Sequence, residues 1–292
     1  MHTPVLLQQA IENLNVEPKG KYIDATFGEG GYSKEILKRG GKVLGIDLDA
    51  TQLSSSGLTG GSRKLDSRFR GNDKESGNDK KKRNDIILVQ GNFGDIEKIA
   101  KENEFYPVDG VVFDLGLSMR QIEESGRGFS YHHPEEPLDM RLSLDTNLTA
   151  KDLLKKLDRD ELYNVLAKNS EEVKSMPIAE EIKRAKTIAT VGDLIKAVDR
   201  AVGFSSKTVY ARVFQALRIE VNDELNNLKS GLKGAVNVLK KGGRVVVVSF
   251  HSLEDRIVKN FVRENGLKFL QRKPIKGFRS FERSAKLRTI IK

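Results

Sequence analysis

Asp24-Ala25-Thr26-Phe27-Gly28-Glu29-Gly30-Gly31-Tyr32 stands between Lys21-Tyr22-Ile23 and the helix-patterned stretch from Ser33 to Lys38, so it reads as the turn of a strand–turn–helix unit. Glycines at such a turn let the backbone approach a ligand that any Cβ would exclude. A dinucleotide fingerprint, G-x-G-x-x-G, needs glycine at position 33, where this chain has Ser33. Asp24 stands four residues before the first of these glycines, and together with Glu29 it opposes a bulky anion. Working outward, Lys42 to Ile46 predicts a second strand that ends on Asp47. Ile86 to Val89 predicts a third, and Gly110 to Phe113 a fourth that ends on Asp114. This strand–helix alternation predicts an α/β fold, a parallel sheet with helices on both faces.

Crevices at the carboxyl ends of parallel strands hold ligands. A carboxylate at the end of strand two is placed to accept both ribose hydroxyls of an adenosine, which gives Asp47 a role. S-adenosylmethionine has a ribose, an adenine, an amino group and no phosphate, and it fits Asp24, the glycines and Asp47 together. If a methyl group passes to an exocyclic amine, a carboxylate accepting an N–H bond favours the nucleophilic form and takes the proton. Asp114 is the candidate for that role. His251, in Ser249-Phe250-His251-Ser252, is a second candidate at the same edge; an ordinary polar strand end is the alternative for it.

Strand signals vanish between about residues 119 and 204. Thr149 before Asp152, Asp158 before Glu161 and Thr190 before Asp193 have the spacing of helix caps. Pro177 is expected to break any helix attempted across it. The stretch reads as a helical domain inserted in the sheet domain. Phe214, Leu217, Val221, Leu225, Leu228, Leu232, Val236 and Leu239 then step by three or four, which predicts one long amphipathic helix ended by Gly242-Gly243. Arg244 to Phe250 predicts the last strand, with Val245 to Val248 buried on both faces. The expected layout is residues 1–118 as the first part of the core, 119–204 as the helical insert, and 205–292 as the second part with a basic tail.

The 292 residues carry 51 Lys and Arg against 41 Asp and Glu, a net charge of +10. Much of that excess lies between Lys259 and Lys292, with eleven basic and two acidic residues. Two readings of this tail are open: a solvated, partly disordered end, or a polyphosphate-binding surface in which Phe269, Phe278 and Phe281 meet unpaired bases. Residues 51–85 are rich in Gly, Ser, Asn and charge and read as a mobile surface insert. The absence of cysteine excludes disulfide frameworks, thiolate metal sites and a cysteine nucleophile. Only four histidines are present, so no metal centre is expected. No apolar run approaches the roughly 20 residues of a membrane span, and the N-terminus lacks a signal-peptide pattern. A soluble cytoplasmic protein is the expectation.

Taken together the motifs resemble the ribosomal RNA small-subunit methyltransferase H family (RsmH, also called MraW). The matches are His2 to Leu7, Asp24 to Ser33, Gly45-Ile46-Asp47, Gly91-Asn92-Phe93, Asp114-Leu115-Gly116, Arg127 to Ser130, Pro137 to Arg141, Phe214 to Ile219, Ser249 to Arg256 and Arg283 to Arg288. The resemblance implies a class I, Rossmann-like methyltransferase sheet with an inserted helical substrate-recognition domain. It implies transfer of a methyl group from S-adenosylmethionine to N4 of cytosine 1402 in the decoding region of 16S rRNA, within the small ribosomal subunit. The cofactor contacts it implies are Gly30, Gly31, Tyr32, Asp47, Phe93, Asp114 and Gln121. This chain has Tyr32 where the family commonly has His, Met119-Arg120 where it has Ser-Pro, and no Arg-rich pattern around Lys174 to Ile182. Two other readings remain: a ribosome-assembly factor without catalysis, and a dinucleotide oxidoreductase, which Ser33 opposes. Oligomeric state is left open, monomer or homodimer.

Overall fold

Five short apolar segments lie side by side as parallel strands. They are β1 (Lys21–Asp24), β2 (Lys42–Asp47), β3 (Ile86–Gln90), β4 (Val108–Asp114) and β5 (Leu239–Ser249). The structure, a computed structural model, describes residues 4–49, 85–117, 122–144, 146–279 and 282–292. The surface insert expected at 51–85 lies outside them except for Asp85, and so does Gln121. Three further strands, β6 (Lys268–Phe269), β7 (Ile275–Lys276) and β8 (Lys286–Ile291), complete the sheet in the order β3-β2-β1-β4-β5-β8-β6, with β7 also on β8. The strand order reverses between β1 and β4, which opens a crevice at the carboxyl edge there. The parallel, doubly wound arrangement is the Rossmann-like class I fold expected from the sequence.

Chain contacts divide the protein into two units, residues 1–116 with 225–292, and residues 117–224. In the first, α3 (Ile96–Glu102), α9 (Glu224–Val238) and α10 (Ser252–Glu264) cover one face of the sheet, and α1 (Leu7–Leu14) and α2 (Gly31–Lys38) cover the other. Along β5, Val245 and Val247 join the first layer and Val246 and Val248 the second, so the valine run is buried on both faces.

The second unit packs α4 (Ala150–Lys156), α5 (Arg159–Ser170), α6 (Ser175–Arg184), α7 (Val191–Val202) and α8 (Lys207–Asn222) around Leu162, Leu166, Ile178, Leu194 and Leu217. Thr149, Asp158 and Thr190 each close a reciprocal capping box, satisfying the free N–H groups of α4, α5 and α7. Pro177 lies in the first turn of α6, where the missing N–H costs nothing. Two motifs interlock here. Asp139 and Arg141 form a fork with both N···O distances 2.8 Å, and Arg127 donates to the Arg141 carbonyl at 2.8 Å.

Two expectations change. The apolar stripe from Phe214 to Leu239 belongs to two helices, because Asp223 turns left-handed (φ 49) between α8 and α9. Asn222 fixes the break by donating to the Met140 carbonyl at 2.8 Å and accepting from Leu142 N at 2.8 Å. Phe214, Leu217 and Val221 therefore serve the helical core, and Leu228, Leu232 and Leu239 the sheet core. The return to the sheet unit comes at Leu225, not near residue 205, and Gly242-Gly243 lies within β5 rather than at a helix end.

The basic tail is likewise no disordered end. β8 pairs antiparallel with β5 from Arg244↔Ile291 to Ser249↔Lys286, with Leu287 and Ile290 buried. Arg288 donates to Asp255 at 2.6 Å, holding that carboxyl below the usual range against the cost of its burial. Replacing Leu287 with Ala is expected to cost about 2–5 kcal/mol in urea unfolding, the range for emptying a buried leucine site. An unchanged midpoint would return these residues to a solvated tail.

Candidate active site

Burial of hydrogen-bonding side chains at the carboxyl edge of the sheet defines the site. Asp24 ends β1 fully buried, and Ser33, one turn into the following helix, donates its hydroxyl to Oδ2 at 2.7 Å. Ser33 thus fills a structural role where a dinucleotide site has glycine. Among the described residues Asp24 Oδ1 has no hydrogen-bond partner. Desolvation pushes its carboxyl up to about 6; Ser33 opposes the shift and the neighbouring Asp47 adds to it.

Asp47, partly buried at the end of β2, accepts from Gly28 N at 2.7 Å and from Asp49 N at 2.8 Å. These bonds shape the turn and leave each oxygen a further acceptor direction. Burial raises this carboxyl to about 6 as well, against the pull of the two N–H donors. The turn needs its glycines for different reasons. Gly30 caps α2 in the left-handed region at φ 73, and a Cβ on Gly31 would lie 2.1 Å from Pro4 Cγ.

Asp114 ends β4, next to β1 across the strand-order reversal. Its backbone N–H donates to Thr26 Oγ1 at 2.7 Å, fixing the strand end to the turn. Oδ1 is buried without a partner among the described residues, and Oδ2 lies 3.3 Å from the Tyr32 hydroxyl. Desolvation pushes this carboxyl up to about 7; the Tyr32 hydroxyl lowers it, and the charges of Asp24 and Glu254 add to the rise. Tyr32 itself is core. Its ring is 3% exposed and its hydroxyl donates to the Val5 carbonyl at 2.5 Å. Burial, then the Asp114 charge, raise its own ionisation well above the usual phenol range.

Phe93 follows β3, packed edge-on against Phe113 with ring centroids 5.7 Å apart, and is partly buried. His251 caps α10: Glu254 N points at Nδ1 at 3.5 Å, and the Glu254 carboxylate returns to Phe250 N at 2.7 Å. With Nδ1 used as an acceptor, the neutral ring carries its proton on Nε2, which lies 3.1 Å from Glu254 Oε1 without a directed hydrogen bond. A proton acceptor at His251 therefore requires giving up the cap, and the geometry favours Asp114 for that chemistry.

The structure thus brings Asp24, Asp47, Asp114, Gly30, Gly31 and Phe93 to one edge of one sheet. It places the Tyr32 hydroxyl, which donates to the Val5 carbonyl, 3.3 Å from Asp114 Oδ2. Sequence reasoning missed Thr26, Ser33 and Glu254. Ser33 left a trace as the residue that spoils the dinucleotide pattern; Thr26 and Glu254 left none. Among the described residues, two carboxylate oxygens at this edge have no hydrogen-bond partner and three carboxyls are raised. Each of these carboxyls binds its proton more tightly folded than unfolded, so the native state holds the extra protons between about pH 4 and pH 7 and loses stability as pH rises across that window. The thermal midpoint of the empty protein is expected to fall less steeply from about pH 5 to pH 8 in Asp114→Asn than in the parent. Parallel curves would show that Asp114 titrates as it does in water.

A family model described as the MraW methylase family matches residues 1–290. A Dictyoglomus thermophilum protein named ribosomal RNA small subunit methyltransferase H is 41% identical over 276 residues, covering 92% of this chain and 86% of that one. A Clostridium botulinum (strain Kyoto) protein of the same name is 36% identical and covers 100% of this chain and 98% of its own. Among solved structures, an rRNA methylase from Streptococcus thermophilus aligns over 100% of this chain and 98% of its own, with a TM-score of 0.45 and 9% identity. With a family match over nearly its whole length, and relatives of this identity along it, the chain belongs to the MraW methylase family.

Proposed function

We propose that the protein transfers a methyl group from S-adenosylmethionine to N4 of a decoding-region cytidine, cytosine 1402, in 16S rRNA of the small ribosomal subunit. The observation that carries the cofactor is the edge just described, where buried carboxylates with free acceptor directions await a cationic ligand rich in donors. The relatives' shared name supports the RNA, and the motifs matched along the chain support the cytidine. When bound, S-adenosylmethionine supplies an electrophilic methyl group on a sulfonium and donors from an ammonium and a ribose. In this reading Asp47 accepts the ribose hydroxyls, Phe93 lies along the adenine, and Gly30 and Gly31 give the backbone close approach. Gln121, outside the described residues, is carried by the resemblance alone.

Asp114 holds an N–H of the acceptor amine and takes the proton that nitrogen loses as its new N–C bond forms. Its carboxylate must be ionised for this, and a nearby cation lowers the raised carboxyl toward ionisation. The helical unit, residues 117–224, serves substrate recognition. Among the described residues no helix is long and apolar enough to cross a membrane, and an rRNA substrate places the protein in the cytoplasm.

The decisive experiment is transfer of a labelled methyl group to small subunits lacking the modification, followed by nucleoside analysis. Label on cytidine N4 is the expected result; label elsewhere, or none, overturns the reading. Asp114→Asn is expected to lower kcat by about 10²–10⁴-fold, the range for losing a positioned acid–base group. Asp47→Ala is expected to weaken cofactor binding sharply, and an unaltered affinity would refute the ribose contact. Calorimetry near pH 6 to 7, in buffers of different ionisation enthalpy, is expected to show proton release on cofactor binding. Binding heats independent of buffer would mean that the carboxyls keep their protons.

A further inference from the structure

The C-terminal residues divide into a docked set and a presented set. In the docked set, Leu287 and Ile290 are core, and Arg288 lies over the Phe269 ring at 5.1 Å. Arg288 and Lys286 both face Asp255, at 2.6 and 3.7 Å. These charges are spent on the fold. The presented set lies in residues 272–279, on and around β7. Phe278 is 82% exposed, with Arg272, Lys273, Lys276 and Arg279 exposed beside it in the chain. The nearest acidic residue in sequence, Glu282, is 5% exposed and faces inward, accepting from Leu6 N at 3.2 Å and from Arg279 N at 3.3 Å.

Those two bonds fix the turn beside the site. Glu282 holds Leu6; the adjacent Val5 carbonyl takes the Tyr32 hydroxyl at 2.5 Å; Pro4 lies against Gly31. A cleft of about 270 Å³ runs between the two segments, lined by Pro4, Leu7 and Gln8 on one side and Phe278 and Arg279 on the other. Covering an exposed ring removes apolar surface from water and favours a partner that can do so. Cations on either side make a polyanion the complementary partner, and an aromatic face among cations matches an unpaired base with its phosphates.

We propose that residues 272–279 form an RNA-docking platform beside the methyl-transfer site, with Phe278 stacked on an unpaired base near the target and Lys273 and Lys276 on the adjoining phosphates. This rests on the RNA methyltransferase reading and adds where the strand lies. Glu282 acts as a positioning residue that keeps the platform fixed to the segment covering the cofactor turn.

The test uses the full chain with fluorescein-labelled single-stranded RNA over a salt series, together with methyl transfer to unmodified small subunits. Phe278→Ala is expected to weaken RNA binding by about tenfold or more, as loss of one base stack does, with the salt slope unchanged. Phe278→Trp is expected to restore it. Lys276→Gln is expected to lower the salt slope by about one, as loss of one phosphate contact does. Both variants should bind S-adenosylmethionine as the parent does. If Phe278→Ala binds RNA and methylates subunits like the parent, the platform is wrong and the methyltransferase reading stands. If the parent itself neither binds RNA nor transfers methyl groups, both fall. Equal weakening of polyglutamate and RNA binding by Lys276→Gln, with no effect of Phe278→Ala, would assign the surface to an acidic polypeptide and overturn the proposal.

Discussion

A fully buried carboxylate at the tip of β1, held by one serine hydroxyl, is the constraint around which the sheet unit is arranged. Ionised carboxylates are costly away from water unless paired, and Asp24 has one oxygen bonded to Ser33 and one bonded to nothing. The next strands on either side bring Asp47 and Asp114 to the same edge, where the Asp47 charge pushes the Asp24 carboxyl up and the Asp24 charge does the same to Asp114. A fold does not gather three acids in this way for stability. The arrangement makes sense as a receptor whose charge is completed by a cationic ligand, and it explains why the turn is built from glycines and backbone donors rather than from basic side chains.

Closure of that edge depends on segments far apart in the chain. Leu6 and Glu282 are separated by 276 residues, yet their hydrogen bond places the N-terminal segment over the turn. From there the Val5 carbonyl accepts a hydrogen bond from the Tyr32 hydroxyl, and Pro4 occupies the space that a side chain at position 31 would need. The same segment thus supports the catalytic candidate Asp114 through Tyr32 and borders the presented turn around Phe278. The acidic edge and the turn around Phe278 share one set of contacts, all within the sheet unit.

Local signals in this chain were the ones that survived folding. The strands ending on Asp24, Asp47 and Asp114 were legible because a buried parallel strand is a short apolar run, and the acid that ends it is conspicuous. The helix starts at Thr149, Asp158 and Thr190 were legible because a capping box is a contact between residues three apart. Where the reading failed, the deciding contact was not local. The stripe from Phe214 to Leu239 keeps helical spacing across Asp223, and nothing near Asp223 announces that Asn222 will bond to Met140 and Leu142. Leu287, Thr289 and Ile290 sit in a basic stretch that looked solvated. Their burial follows from an open strand edge on β5 and from Asp255, which meets Arg288 and Lys286.

The sequence by itself determined the parallel sheet, the glycine turn, the order of its acids and the helical insertion, because each rests on residue type and short spacing. The tertiary structure alone decided which acids stay unpartnered, that Tyr32 backs Asp114 from within the core, that His251 caps a helix, and that part of the basic tail is a strand while Phe278 stays outside. Those outcomes depend on burial and on partners brought from distant positions, and neither burial nor partner is a property of a residue read along the chain.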